Sequence, residues 1–281
     1  MARVIKKLLE LMALTALCSL LFSCASSSGK READALSLLG NVADMYFYVP
    51  VKENRPLVEN LMCFMVGMDE SDASLLASRI DLLYISLGNE ALKSVRIYAE
   101  GSFPSIGQKM ALKEKNGWEK KSYTPKDSSE KIDYYSSASS FNVAFPTTKK
   151  LIAAQDIFGM LDNLANPYAE MPECESWFYG QEHDEDAMLF YVVEPASFMK
   201  KMVGSIAEKW CDNVYGDIRL DEKSSSYSAT LYLELSNPKT QKALEGLIKT
   251  LTGMEVSPVG ENILKIENMR LSEQELMNVL R

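Results

Sequence analysis

The sequence predicts an α+β fold of mostly antiparallel sheet covered by amphipathic helices, with the same arrangement occurring twice. Three observations predict it. Met45-Tyr46-Phe47-Tyr48-Val49 returns 143 residues later as Met188-Leu189-Phe190-Tyr191-Val192, matching at four of five positions. Tyr227, Ala229, Leu231, Leu233 and Leu235 alternate with other residues, the period of a strand buried on one face. Apolar residues recur at helical spacing over Leu57 to Met68, Leu75 to Leu87 and Leu244 to Leu251.

The chain opens with three cations, Arg3, Lys6 and Lys7, ahead of a stretch from Leu8 to Phe22 that is apolar apart from Glu10 and two small hydroxyls. That stretch has the size of an export-signal core and falls short of the roughly 20 residues of a spanning helix. It ends in Leu21-Phe22-Ser23-Cys24, which resembles a bacterial lipobox with Phe22 at a position usually held by a small residue. The expected processing removes residues 1–23 and acylates Cys24. One acyl chain holds a membrane only marginally, and two or three hold it durably. Residues 24–41 read as the lipidated Cys and a flexible tether, 42–168 as a first repeat and 169–281 as a second.

Composition narrows the function. Removing Arg3, Lys6, Lys7 and Glu10 from 30 bases and 39 acids leaves a net charge of −11, which argues against nucleic acid as a partner. Besides Cys18 in the signal and the anchor Cys24, the chain has Cys63, Cys174 and Cys211. Their odd number and wide spacing describe neither a disulfide framework nor a zinc site. Cys63 and Cys211 read as buried thiols, and a bridge from Cys174 to either stays open.

In the first repeat the aromatic run before Pro50 reads as a strand. Leu57–Met68 and Leu75–Leu87 read as two helices, with Asp69 to Asp72 between them able to cap the second. Val95, Ile97 and Ala99 alternate as a strand, as do Met110 and Leu112, and Asn116-Gly117 reads as a hairpin turn. Residues 123–140 read as a loop with a short strand near Tyr134, followed by a strand through Phe141, Val143 and Phe145. In the second repeat Phe198, Met199, Met202, Val203, Ile206 and Trp210 share a helical face. Asn237-Pro238 starts a helix carrying Leu244, Leu247, Ile248 and Leu251 that Gly253 stops. Ser272 and Glu275 form a capping box, with Leu271 and Leu276 placed for a hydrophobic staple.

Catalytic signatures are absent. His183 is the one histidine, set in Glu182-His183-Asp184-Glu185-Asp186, which reads as a solvated loop rather than a metal site. Neither a nucleophile elbow nor a phosphate-cradling glycine loop occurs, so no enzyme activity and no cofactor are expected. The more suggestive features are apolar stripes. Leu57, Leu61, Met62, Phe64, Met65 and Met68 lie in a methionine-rich segment that is apolar almost all round, and methionine repacks easily against changing surfaces. Leu76, Ile80, Leu83, Tyr84 and Leu87 form the next stripe. Ile157, Phe158, Leu161 and Leu164 form a shorter third.

The lipobox Cys24, the aromatic first strand, the repeated layout and these stripes together resemble the treponemal outer-membrane-associated lipoproteins. The resemblance spans most of residues 24–281 and rests on layout. It implies a compact fold without catalytic residues, attached to the inner leaflet of the outer membrane through amphipathic helices. Carried over by position, Leu57–Met68 and Leu75–Leu87 become the insertion helices. Membrane lipids become the partner, while a protein partner is unknown. The acidic net charge departs from what favours anionic lipid. The alternatives are a periplasmic module that binds an amphiphile or a protein, and a structural or antigenic surface lipoprotein.

Overall fold

The computed structural model describes residues 33–41, 43–88, 95–126, 128–138, 141–166, 168–180, 182–193, 195–205, 209–221 and 226–279. The signal segment, Cys24 and Ile206 lie outside them. Residues 33–281 form one compact unit. Its centre is a single twelve-stranded sheet with every described pairing antiparallel.

One end of the sheet is built from β1 (Met45–Pro50), β2 (Ile80–Leu87), β3 (Arg96–Gly101), β4 (Trp118–Tyr123), β5 (Ile132–Ser137), β6 (Asn142–Thr147) and β7 (Lys150–Ala154). The other is built from β8 (Met188–Val193), β9 (Cys211–Asp221), β10 (Ser226–Leu235), β11 (Val256–Val259) and β12 (Ile263–Leu271). Their order is β11-β12-β10-β9-β8-β1-β2-β3-β7-β6-β5-β4, so the two matched aromatic runs are the central neighbours. β1 and β8 pair with Phe47 opposite Phe190 and Met45 opposite Val192. The equivalent phenylalanines of the two runs therefore face each other.

Alternation gives the sheet two unlike faces. Phe47, Val49, Leu83, Ile85, Phe190, Val214 and Leu233 point to an aliphatic face, and Tyr46, Tyr98, Ile152, Leu189 and Tyr191 point to the other. On the second face cross-strand neighbours form two ladders. Tyr48 faces Tyr84 and Tyr84 faces Tyr98, with ring centroids 5.2 and 6.2 Å apart. Tyr191 faces Tyr215 and Tyr215 faces Tyr232, at 5.7 and 5.5 Å in near-parallel stacks. Tyr48 and Tyr191 hold matching places in the repeated run. Such cross-strand aromatic pairs contribute about 0.2–1 kcal/mol each.

Helices cover both faces. The tyrosine face carries α1 (Ala35–Leu39) and, further along the chain, Phe158–Ala165 and Glu175–Tyr179, which bury Met160, Leu161, Trp177 and Phe178. The aliphatic face carries α2 (Arg55–Leu61), a π-helical turn (Met62–Val66) and α3 (Glu70–Ala77). Ser105–Ala111 forms α4, which makes Phe158–Ala165 α5 and Glu175–Tyr179 α6. Completing the aliphatic layer are α7 (Ala196–Val203), α8 (Gln241–Thr252) and α9 (Glu273–Val279).

Several elements differ from the sequence reading. The tether does not run to residue 41, because Leu36, Leu38 and Leu39 of α1 are buried. Asp34 caps α1 by accepting from Leu36 N at 2.9 Å. Arg96 Nη1 and Asn163 Nδ2 each donate to its carbonyls, at Leu39 and Ser37, at 2.7 Å. Leu75–Leu87 is not a helix. α3 ends at Ala77, and Ile80, Leu83, Tyr84 and Leu87 belong to β2. A strand covered on both faces is apolar at nearly every position, so its spacing imitates a helical stripe. Met110 lies on helix α4 rather than in a strand, and Leu112 follows directly after it. Asn116-Gly117 ends a 3₁₀ turn ahead of β4 instead of joining two strands. The strands at Tyr134 and Val143 form as β5 and β6, Asp69 caps α3 from Asp72 N at 2.9 Å, and Glu275 closes the box with Ser272.

Burial pushes the phenols of Tyr46, Tyr84 and Tyr227 up to about 12, above their ordinary value of 10.0. A group raised by folding lends stability that is complete below its unfolded pKa and lost as pH climbs through the folded one. The urea midpoint is therefore expected to fall as pH climbs from 10.0 to about 12. A midpoint unchanged across that window would contradict the burial of these three phenols.

Candidate membrane-contact site

The methionine-rich segment is a broken helix lying across the middle of the aliphatic face. Pro56 sits in its first turn, where a missing N–H costs nothing. The buried Asn54 fixes the entry by donating to Pro50 O at 2.9 Å. After Leu61 the backbone widens into the π turn, and Gly67 stops it with φ +70°, a conformation that suits glycine.

The inner side of this segment is core. Leu57 and Leu61 are buried and, with Phe47, Ile85 and Leu87, line a small void against the central strands. Met188, Ile218 and Leu276 close it from the other half of the sheet and from α9. The void measures about 20 Å³ and its walls are wholly apolar. A water needs on the order of 10–15 Å³ together with polar partners, so this space is dry. The cover over it is fastened by polar contacts at its rim. Arg55 Nε pairs with Glu59 Oε1 at 2.8 Å, and its Nη2 donates to Ser74 O at 3.2 Å, joining α2 to α3. Asn60 Nδ2 donates to Glu273 Oε1 at 2.5 Å, joining α2 to α9.

The residues expected to meet lipid thus divide three ways. Leu57, Leu61 and Met62 are buried beneath the cover, and Ile80, Leu83 and Leu87 are core residues of β2. Tyr84 points to the opposite face, where its ring lies between those of Tyr48, Tyr98 and Phe178. Phe64, Met68 and Leu76 remain half-buried at the surface of the cover, beside Leu75, which is 57% exposed. The side chain of Met65, like Cys24, lies outside the described residues. The sequence reading missed Ile106 and Met110 of α4, both strongly exposed, because it placed Met110 in a strand.

The remaining chemistry is structural. Cys63, Cys174 and Cys211 are free thiols. Burial pushes Cys174 and Cys211 up to about 12, far from the thiolate a nucleophile requires. His183 sits in the expected loop, but it is pinned there rather than merely solvated. Its Nε2 is 2.8 Å from Trp177 O, and its ring meets the Trp177 indole edge-on at 4.7 Å. Among the described residues no group of three His, Cys, Asp or Glu could hold a metal ion. None of the described helices is long and apolar enough to cross a membrane.

Fold and site define a one-sheet domain with helices on both faces and an apolar cover at its centre. The chain belongs to the outer membrane-associated lipoprotein family TP0453, whose model matches residues 30–277. Its place is therefore the outer membrane, as a lipoprotein. The outer membrane protein TP0453 of Treponema pallidum (strain Nichols) is 24% identical over 264 residues, covering 88% of this chain and 85% of that protein. Crystal form I of TP0453 superposes with a TM-score of 0.70 at 21% identity, covering 90% of this chain and 98% of that one. Form III gives 0.67 at 21% identity over 89% and 99%, and form IV gives 0.64 at 20% over 91% and 99%. These likenesses establish the fold.

Two consequences can be checked directly. Leu61→Glu places a charge in the dry core and is expected to cost about 3 kcal/mol or more, whereas Phe64→Glu stays within about 1 kcal/mol; urea titration separates them. Cys174 and Cys211 are expected to resist a thiol reagent at neutral pH until the chain is unfolded. Rapid labelling of either in the native state would remove it from the core.

Proposed function

We propose that this chain is a non-enzymatic lipoprotein whose acylated Cys24 holds it to the periplasmic leaflet of the outer membrane. Its folded domain adds apolar helical contacts to that anchor, with membrane lipid as the partner. The observation that carries this reading is the α2–π–α3 cover. It is rich in methionine, broken at its middle, joined to its neighbours by polar contacts at its rim, and laid over a small dry void. Phe64 and Leu75 are the side chains it offers to lipid, while Met68 and Leu76 also pack against the core. Full burial of such a side chain stabilises by about 1.5–3 kcal/mol, so a few supplement acyl chains appreciably.

The void also supports a second reading, capture of an amphiphile. At about 20 Å³ it accepts no acyl chain, so capture requires α2 to lift from the sheet. The two halves are read as copies of one ancestral unit. Both run strand, helix, strand, strand, both carry a three-tyrosine ladder, and they meet through equivalent phenylalanines.

The test is vesicle flotation of the unacylated chain beginning at Ala25, beside Phe64→Glu/Leu75→Glu. The wild type is expected to float and the still-folded variant to float several-fold less. A wild type left wholly in the dense fraction would reduce membrane attachment to Cys24 alone.

A further inference from the structure

The sheet ends differently on its two sides. At one edge β11 spans four residues, Val256–Val259, and includes Pro258, which has no N–H to offer a further strand. At the other edge β4 spans six residues without proline and pairs only with β5. The register shows which of its backbone groups point outward. Ser137 N donates to Phe141 O at 2.9 Å, toward β6, so Ser137 and Tyr135 turn their backbone groups away from β4. Their partners Trp118 and Lys120, and Ser122 beyond them, therefore turn theirs away from β5, to the edge. Trp118 N is taken by Lys113 O at 3.3 Å. Among the described residues no backbone group answers Lys120 or Ser122 there. Thr124 prolongs the row, because a residue before a proline is held extended and Pro125 follows it.

Natural sheets guard a bare edge, often with lysine. The two lysines of β4 are instead engaged within their own chain. Lys120 Nζ lies 2.6 Å from Asp133 Oδ2, and Lys121 Nζ lies 3.0 Å from Glu119 Oε2. Lys121 and Tyr123 share the tyrosine face of the sheet. There Tyr123 stacks at 4.9 Å on Phe158 and donates from its hydroxyl to Asp162 Oδ1 at 3.0 Å. Asp156 and Asp162 make the surroundings of Tyr123 negative, and Lys126 answers Asp162 from 3.5 Å. A positive and a negative position thus lie two residues apart along one open strand, an arrangement that complements itself when the strand is turned end for end.

We propose that β4 is the pairing edge for a second copy of this chain, antiparallel and centred on Ser122. Ser122 exchanges both backbone hydrogen bonds with Ser122 of the other copy, and Lys120 does the same with Thr124. Lys121 then lies directly opposite Tyr123 and its carboxylates, in the closer, non-hydrogen-bonded kind of pair, and the contact occurs twice. This register carries the second strand past the Lys113 turn, which closes the edge only at Trp118. The interface is the same patch on both copies, so the assembly closes at two and joins the sheets edge to edge.

The experiment uses the unacylated chain from Ala25, because residues 33–281 form their own compact unit. Sedimentation equilibrium at rising concentration is expected to pass from monomer to dimer mass. Ser122→Pro removes an outward N–H and no β4–β5 hydrogen bond, so it is expected to keep its circular dichroism and dimerise at least ~10-fold more weakly. Lys121→Glu, an exposed change, is expected to weaken the dimer in the same direction. The register is read by cross-linking in a Cys63→Ser background. A hydrogen-bonded pair on the axis has Cα atoms about 5.5 Å apart, within disulfide reach, so Ser122→Cys is expected to cross-link under a mild oxidant and Lys120→Cys is not. A chain that stays monomeric at every concentration overturns the proposal. A dimer that Ser122→Pro leaves intact places the interface on another face and overturns it too, and faster cross-linking of Lys120→Cys than of Ser122→Cys overturns the register.

Discussion

The pairing of β1 with β8 is the constraint on which the rest of the domain depends. It joins the two halves edge to edge, with Phe47 opposite Phe190, and converts them into one continuous sheet. Both strands are then covered on both faces, which is why their sequences are apolar or aromatic almost without a break. Alternation along them commits each residue to one of two unlike cores. A slip of one residue would exchange the tyrosine and aliphatic sets, so the register is strongly specified.

The two faces do different work. Over the tyrosine face α1 is held by a capping aspartate, an arginine, an asparagine and its own buried leucines. Tyr46 adds a hydrogen bond from its hydroxyl to Gly40 O at 2.7 Å. Helix α1 is therefore held firmly against the sheet. Over the aliphatic face the cover buries Leu57, Val58, Leu61 and Ala73 around a small dry void and is joined to its neighbours at its edges.

Much of this was legible in the sequence. The repeated aromatic run located the central strand pair. The unbroken alternation of Tyr227 to Leu235 found β10, and Asn237, Gly253, Asp69 and the Ser272–Glu275 pair marked helix ends that do form. Errors arose where one residue pattern satisfies two periods. Ile80, Leu83, Tyr84 and Leu87 fit a helical stripe, and Leu83, Ile85 and Leu87 fit a strand equally well. Burial on both sides of β2 leaves only Asp81 and Ser86 as polar positions, too few to decide between them. Met110 and Leu112 alternate with polar residues as a strand would, although Met110 lies on α4 and Leu112 just after it.

The sequence by itself determined the apolar periodicity and the helix caps, because each depends on residues close together in the chain, and the acidic balance, which needs only composition. The tertiary structure decided which apolar residues are core. Leu57 and Leu61 are buried because they lie over the β1–β8 junction, while Ile106 and Met110 are exposed because nothing packs on α4 from outside. It also decided that the tyrosines form ladders, which brings together residues from three strands in each half. Exposure and cross-strand pairing are set by contacts distant in sequence, and no local pattern of side chains encodes them.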